Sequence, residues 1–393
     1  MTLDSMSLLL PALTAALVTL LATPFVGSLA TSLRAVDVPG GRKRHGGLVP
    51  RLGGVAIVAG LVAAALASRL AIPDNGWLGL PSASALWLAA ATGLVFLIGV
   101  LDDLVGLGPP AKLAIQVVAA TVVVSGGWQF VTFEVPFTPW TVGPLAAAAL
   151  SLAWIVGVTN AMNFIDGLDG LAVSVSTLIA AFFLVLGILR GDTVQTWICA
   201  AVVGAGLGFL PHNWMPARIH MGDSGALTLG FVLAVVSVAP SSSRPVATAL
   251  VALLALGMPV FDSLIVIGRR LVRGNGDGHP IARMFRGDRT HLHHLMLRLA
   301  GPRSSVLYLA LMNVVFCGFA LLVAATRAWR LGLVLLLAEA AITAFLRRWS
   351  HRTVRPEIDR DRIEELKERR REISAAHEAD KRERQASSLR RRA

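Results

Sequence analysis

Apolar residues run in blocks of about twenty along nearly the whole chain, and charged residues collect in the gaps between blocks. Blocks of this length cross a hydrocarbon core as single helices. They fall near 7–30, 52–72, 83–101, 112–126, 144–161, 169–190, 194–211, 224–240, 246–268, 305–325 and 330–348. The helices of a soluble bundle would each show a polar face, and these mostly do not. The pattern predicts an all-α polytopic integral membrane protein with about eleven transmembrane helices. The fourth and seventh segments are short or glycine-containing and are the weakest spans. Between spans, backbone groups must lie at the surfaces or line a wet cavity. Residues 127–143, with Phe130, Thr132, Phe133, Glu134 and Val135 ahead of Pro136 and Pro139, predict a short strand pair outside the membrane.

Composition supports this pattern. Of 393 residues, 55% are hydrophobic and 15% charged, against about a quarter charged in soluble domains. A net charge of +12 would suit a nucleic-acid binder, but in a membrane protein it reflects Lys and Arg in cytoplasmic loops. Arg34, Arg42, Lys43, Arg44 and Arg51 make the first loop cytoplasmic and put the N-terminus outside. Counting onward, the loops near 102–111, 162–168, 211–223 and 269–304 are also cytoplasmic, as is the C-terminus. The first apolar block lacks a basic leader and reads as a retained helix. The sequence divides into a membrane domain, 1–350, and a charged cytoplasmic tail, 351–393, lying near anionic headgroups. Cys199 and Cys317 both fall inside spans without metal-ligand spacing, as small buried hydrophobes.

The candidate chemistry is one-sided. Seven of nine histidines (His45, His212, His220, His279, His291, His293, His294) and Asp102, Asp103, Asp166, Asp169, Asp223, Asp277 and Asp288 lie in or beside the inferred cytoplasmic loops. Ionisable groups at helix ends are costly unless they face water, a metal or a partner. Asp102-Asp103 closes a span, and Lys112 follows; a divalent cation would relieve the repulsion of adjacent carboxylates. From Asn160 through Asn163, Asp166 and Asp169, amides and carboxylates recur every three residues, which predicts one helical side ahead of a glycine break. His212-Asn213 and His220-Met221-Gly222-Asp223-Ser224-Gly225 precede a span; Asp223 and Ser224 are either helix caps or part of a phosphate site at a helix N-terminus. His291-Leu292-His293-His294 follows Arg283, Arg286, Asp288 and Arg289. Zinc is disfavoured there because hard oxygen groups outnumber soft ligands, and contacts to phosphate or uridine suit these rings better. Arg44 and His45 add anion contacts beside the glycine pairs 46–47 and 53–54. The lack of a Walker-type phosphate loop argues against an ATP-driven transporter.

These clusters, in this order, resemble the polyprenyl-phosphate N-acetylhexosamine-1-phosphate transferase family. The likeness rests on Pro50-Arg51-Leu52-Gly53-Gly54, Asp102-Asp103 with Lys112, Asn160 through Gly170, Asn213 with Met221 through Gly225, and His291 through His294. The branch that accepts muramoyl-pentapeptide typically carries Thr-Pro-Thr-Met-Gly-Gly and three consecutive histidines. Val49-Pro50-Arg51-Leu52 and the interrupting Leu292 instead point to the N-acetylglucosamine branch, which starts O-antigen, teichoic acid or similar envelope glycans. The resemblance implies a bacterial inner-membrane enzyme with a cytoplasmic active site. It would use Mg²⁺, with Mn²⁺ as a substitute, to join a UDP-N-acetylhexosamine to a polyprenyl phosphate and release UMP. It implies Asp223 as first metal ligand and Asp103 or Asp102 as the next, assisting the metal or acting as base. Asp166, Asp169 and Asn163 would hold the metal shell or nucleotide. Lys112, Asn160, Asn213, Arg44 and His45 would hold substrate, and His291, His293 and His294 with Arg289 would contact phosphate or sugar. A base is not obligatory, because the second ionisation of a phosphate monoester lies near pH 6. The family also makes a homodimer an expectation. The competing readings are the pentapeptide-accepting branch and a lipid or solute transporter, which would place its ionisable groups at mid-membrane. No nucleic-acid partner is expected.

Overall fold

The computed structural model describes residues 5–37, 48–71, 82–130, 133–134, 141–238, 245–272 and 291–353. Arg44, His45, Arg289 and residues 354–393 of the charged tail lie outside the described residues. The described residues are mostly helical: α1 (Ser5–Ser32), α2 (Gly53–Ala71), α3 (Ser82–Val105), α4 (Pro109–Ser125), α5 (Pro144–Ile165), α6 (Leu171–Arg190), α7 (Thr193–Asn213), α8 (Gly222–Val238), α9 (Pro245–Ala255), α10 (Gly257–Val272), α11 (Leu292–Ala300) and α12 (Pro302–Thr326). A last helix, α13, covers Trp329–Thr353. Two antiparallel strand pairs complete the described residues. β1 (Val36–Asp37) pairs with β2 (Val49–Pro50), which sequence alone does not predict, and β3 (Phe133–Glu134) pairs with β4 (Thr141–Val142) inside the expected 127–143 loop.

Every expected apolar segment falls on a helix, but the helices are unequal. Among the described residues, eight are long and apolar enough to cross a membrane, nine if a bent pair is one span, and α4 and α8 are shorter apolar helices. The seventh segment, expected to be weak, is the continuous 21-residue α7, with Pro211 in its last turn. The ninth segment is broken. α9 and α10 meet at 80°, and the cause is local. Pro259 has no N–H to give the Ala255 carbonyl, which would be its i−4 partner. That carbonyl instead accepts from Asn313 Nδ2 of α12, at 3.4 Å.

Large apolar side chains cover the outside: Leu9, Leu13, Phe25, Leu70, Leu145, Leu337 and Phe345 are exposed. In water such a coat would aggregate, and in lipid it is the favoured surface. The interior is organised around α8, whose residues are all buried except Asp223. A helix that is apolar on every side belongs at the centre of a bundle, and α8 packs against α2, α3, α5, α6 and α9. The crossing with α2 depends on Gly54, where a Cβ would collide with the backbone of Ser224 and Gly225. Bare backbone there lets the two helices approach closely, as small residues do in membrane interfaces. The N-terminus of α8 is thereby fixed among its neighbours' ends.

Candidate active site

The polar groups that the sequence scatters over loops meet at one end of this bundle. The C-terminal end of α3 brings Asp102 and Asp103, the first turn of α4 brings Lys112, and the last turn of α5 brings Asn163. The link between α5 and α6 brings Asp166 and Asp169, and the link between α7 and α8 brings His220. Asp37, Arg51, Asp166, Asp169, Asn213, His220 and Asp223 line a single cleft.

Lys112 sits between two carboxylates, with Nζ 2.7 Å from Asp223 Oδ2 and 3.2 Å from Asp102 Oδ2. Asp102 Oδ1 accepts the Leu107 N–H at 2.8 Å, which closes the end of α3. Asn163 adds a side-chain hydrogen bond to Asp223. Asp223 is therefore held from both flanks while remaining open to the cleft.

Asp103, expected as a metal ligand, has a structural task in the fold. Its Oδ1 accepts the Asp223 N–H at 2.9 Å and its Oδ2 the Ser224 N–H at 3.0 Å. A carboxylate from α3 thus supplies the N-terminal cap of α8, and neither Asp223 nor Ser224 caps its own helix. The turn that aims these amides needs Gly222 at φ +71, a left-handed conformation open to glycine. Arg51 Nη2 lies 3.7 Å from Asp103 Oδ1, and Arg51 Nε lies 3.5 Å from Asp37 Oδ1.

His220 carries the other wall. Its Nδ1 is 2.9 Å from Asp37 Oδ2 and its Nε2 is 3.4 Å from Asp169 Oδ1. Burial alone would lower its basicity, but the hydrogen bonds and charges of Asp169 and Asp37 outweigh it and push the imidazolium up to about 9. Asp169 Oδ2 also accepts the Ala217 N–H at 3.0 Å, joining the two links. Asp166 is the most crowded acid. Burial pushes its carboxyl well above the usual range, His220 opposes that, and Asp223, Asp103 and Asp169 push it further up.

The expected three-residue ladder does not share one helical side. α5 stops at Ile165, so Asp166 is its C-cap and Asp169 stands in the turn beyond. Asn160 is not among the residues that line the cleft; its amide donates to Gln116 of α4 and to the Val156 carbonyl. Asn213 lines the cleft, but its amide is committed to structure: Oδ1 accepts the Gly170 N–H at 3.0 Å and Nδ2 donates to the Ile219 carbonyl at 2.9 Å. His291, His293 and His294 stand beside the cleft. His293, stacked on His291 at 5.7 Å between centroids, presses on Gly167 of the α5–α6 link, and His294 is 4.1 Å from His293.

Three participants escape a reading by motif. Asp37 is a lone acid in a two-residue strand, and only the folded chain brings it to Arg51 and His220. Gln116 lies one turn beyond Lys112 in an apolar block, where a single amide is easily passed over. Asp262 is a lone acid inside the ninth segment, and there the signal existed, because intramembrane carboxylates demand a partner.

In formal charge, six carboxylates (Asp37, Asp102, Asp103, Asp166, Asp169, Asp223) face three cations (Arg51, Lys112, His220), an excess of three negative charges among the described residues. A hard divalent cation would relieve the mutual repulsion of these carboxylates. Among the described residues, no three His, Cys, Asp or Glu form a ready-made metal cage.

A family model described as glycosyl transferase family 4 matches residues 85–241. A probable undecaprenyl-phosphate N-acetylglucosaminyl 1-phosphate transferase of Bacillus subtilis (strain 168) is 32% identical over 321 residues, covering 80% of this chain and 84% of the relative. The chain belongs to glycosyl transferase family 4. Two further members of the group extend the comparison. The decaprenyl-phosphate N-acetylglucosaminephosphotransferase of Mycobacterium leprae (strain TN) is 35% identical over 328 residues, 77% of this chain and 80% of the relative. The undecaprenyl-phosphate alpha-N-acetylglucosaminyl 1-phosphate transferase of Escherichia coli (strain K12) is 30% identical over 287 residues, 70% of this chain and 72% of the relative. The family 4 match takes in Asp102, Lys112, Asn163, Asp166, Asp169 and Asp223, and stops short of Asp262 and the histidine helix α11.

Proposed function

We propose that the protein transfers N-acetylglucosamine 1-phosphate from UDP-N-acetylglucosamine to a polyprenyl phosphate, releasing UMP. The observation that carries this reading is the acidic cleft of Asp166, Asp169 and Asp223, walled by Lys112, Arg51 and His220, at the helix ends of an apolar bundle. A water-soluble nucleotide sugar and a lipid phosphate can meet only where a polar cleft adjoins lipid-facing helices. The names of the relatives supply the sugar and the lipid class.

An oxygen of the prenyl phosphate attacks the sugar-bearing phosphorus of the donor. A new P–O bond forms, the bond to the bridging oxygen breaks, and UMP leaves with that electron pair. Positioning and charge neutralisation dominate such displacements. Asp223 and Asp166 are the groups best placed to hold Mg²⁺, whose charge would offset the excess of carboxylates and the phosphates they must accept. Lys112 orients Asp223, and Asn163 fixes the same carboxylate from the other side. Arg51 provides contacts for phosphate oxygens, and His220, whose two ring nitrogens face Asp37 and Asp169, adds positive charge to the same wall. The nucleophile arrives largely ionised at neutral pH, so no side chain needs to remove a proton. The basic loops favour the cytoplasmic face of the bacterial inner membrane for this cleft.

Purified protein supplied with UDP-N-acetylglucosamine, a prenyl phosphate and Mg²⁺ should release UMP, and chelation should stop it. Asp223→Ala should lower kcat by at least about a thousandfold while keeping its detergent melting temperature. Turnover near wild type would remove Asp223 from the reaction.

A further inference from the structure

The last helix, α13, exposes most of its length, including Val334, Leu337 and Phe345. One stripe is buried, and that stripe is polar: Glu339, Thr343, Arg347 and Ser350, at successive spacings of four, four and three residues. Its landing points are specific. Glu339 rests on Gly257, at the break between α9 and α10. Arg347 Nη1 donates to Asp262 Oδ1 of α10 at 3.0 Å. Ser350 Oγ reaches Met296 Sδ of α11 at 3.6 Å.

Asp262 is the junction. It is 1% exposed, and both of its oxygens are engaged. Oδ1 accepts the Leu292 N–H at 3.0 Å, opening α11, and Oδ2 stands 2.8 Å from His291 Nδ1. His291 in turn lies against Phe164, at the end of α5, with 5.5 Å between ring centroids. A chain of contacts therefore runs from the outermost helix to the rim of the cleft. An ion pair buried this deeply brings little net stability over an apolar pair of the same volume, so stability alone does not explain its presence.

We propose that Asp262 and Arg347 are positioning residues for the transfer reaction, fixing the ring plane and tautomer of His291 so that His291 and His293 meet the cleft in one arrangement. The inference rests on the transferase reading above. A carboxylate paired with a guanidinium can only accept, so the proton of His291 is held on Nδ1 and Nε2 is left to face its neighbours. Arg347 fixes the carboxylate that does this, and the amide of Leu292 aligns the helix bearing His293.

The double variant Asp262→Asn/Arg347→Met separates positioning from folding. It removes both charges together, so the fold is retained and the melting temperature in detergent stays within a few degrees of wild type. The asparagine keeps one oxygen for the Leu292 amide but turns an NH₂ toward His291 Nδ1, which disfavours the native tautomer. We expect kcat for UMP release to fall by about tenfold to a hundredfold. A purely structural pair predicts that a variant with a native melting temperature also has native turnover, and a kcat within twofold of wild type would overturn the proposal. If the double variant does not fold, Asp262→Glu takes its place: both charges persist, the carboxylate moves by one methylene, and a comparable fall in kcat is expected, with unchanged kcat overturning it. Failure of wild-type protein to release UMP would instead refute the transferase reading.

Discussion

Lys112 shows how a charge can work at short range in an apolar protein. Its ammonium touches two carboxylates on two helices, Asp102 and Asp223, and so sets their spacing. His220 does the same on the opposite wall, and its raised basicity has a measurable consequence. The folded imidazolium titrates near 9 against 6.5 unfolded, so its stabilisation is full below pH 6.5 and disappears as pH rises towards 9. The melting temperature of wild type should fall relative to His220→Gln across that interval. A constant difference between the two proteins from pH 6.5 to 9 would refute a charged His220. Motif reading finds Asp223, Asp166 and Asp169, because each stands beside a glycine at the edge of an apolar block, where an uncompensated charge is costly. It cannot find Asp37, whose partners lie 14 and 183 residues further along the chain.

At the scale of elements, the buried helix and its cap decide where Asp223 stands. The cap is borrowed: Asp103 belongs to α3 and serves α8. Asp103→Ala leaves two buried amides without acceptors and should cost about 1–3 kcal/mol, seen as a lower melting temperature in detergent. Asp103→Asn, which keeps one acceptor, should lose less. An alanine variant as stable as wild type would rule out the cap. Helix positions were legible from block length, but this cap was not, because nothing in the spacing of Asp103 and Asp223 announces that their helices cross. The kink at Gly257-Met258-Pro259 was legible in principle, since a proline inside an apolar block leaves a carbonyl unpaired. What the sequence could not supply was the donor, Asn313.

For the whole molecule, the central result is convergence. Ends of α3, α5 and α7 meet starts of α4, α6 and α8 at one pole, joined by Asp103–Asp223, Lys112–Asp223 and Asn213–Gly170 contacts. Single cysteines at Leu107, Leu168 and Ala217 should therefore react with an impermeant thiol reagent from the same side of sealed vesicles, against a background with Cys199 and Cys317 replaced. Labelling from opposite sides would dissolve the shared cleft. The one-sidedness of the ionisable residues made this pole legible in advance. Their individual partners emerged only from packing.

The place of Asp223 follows from the sheathing of α8. Neighbouring helices surround its described residues, so no acyl chain packs against the turn that carries this carboxylate. Acceptors of different acyl length would then meet the same carboxylate at the same place, because packing against α2, α3 and α5 sets its position and the thickness of the surrounding bilayer does not.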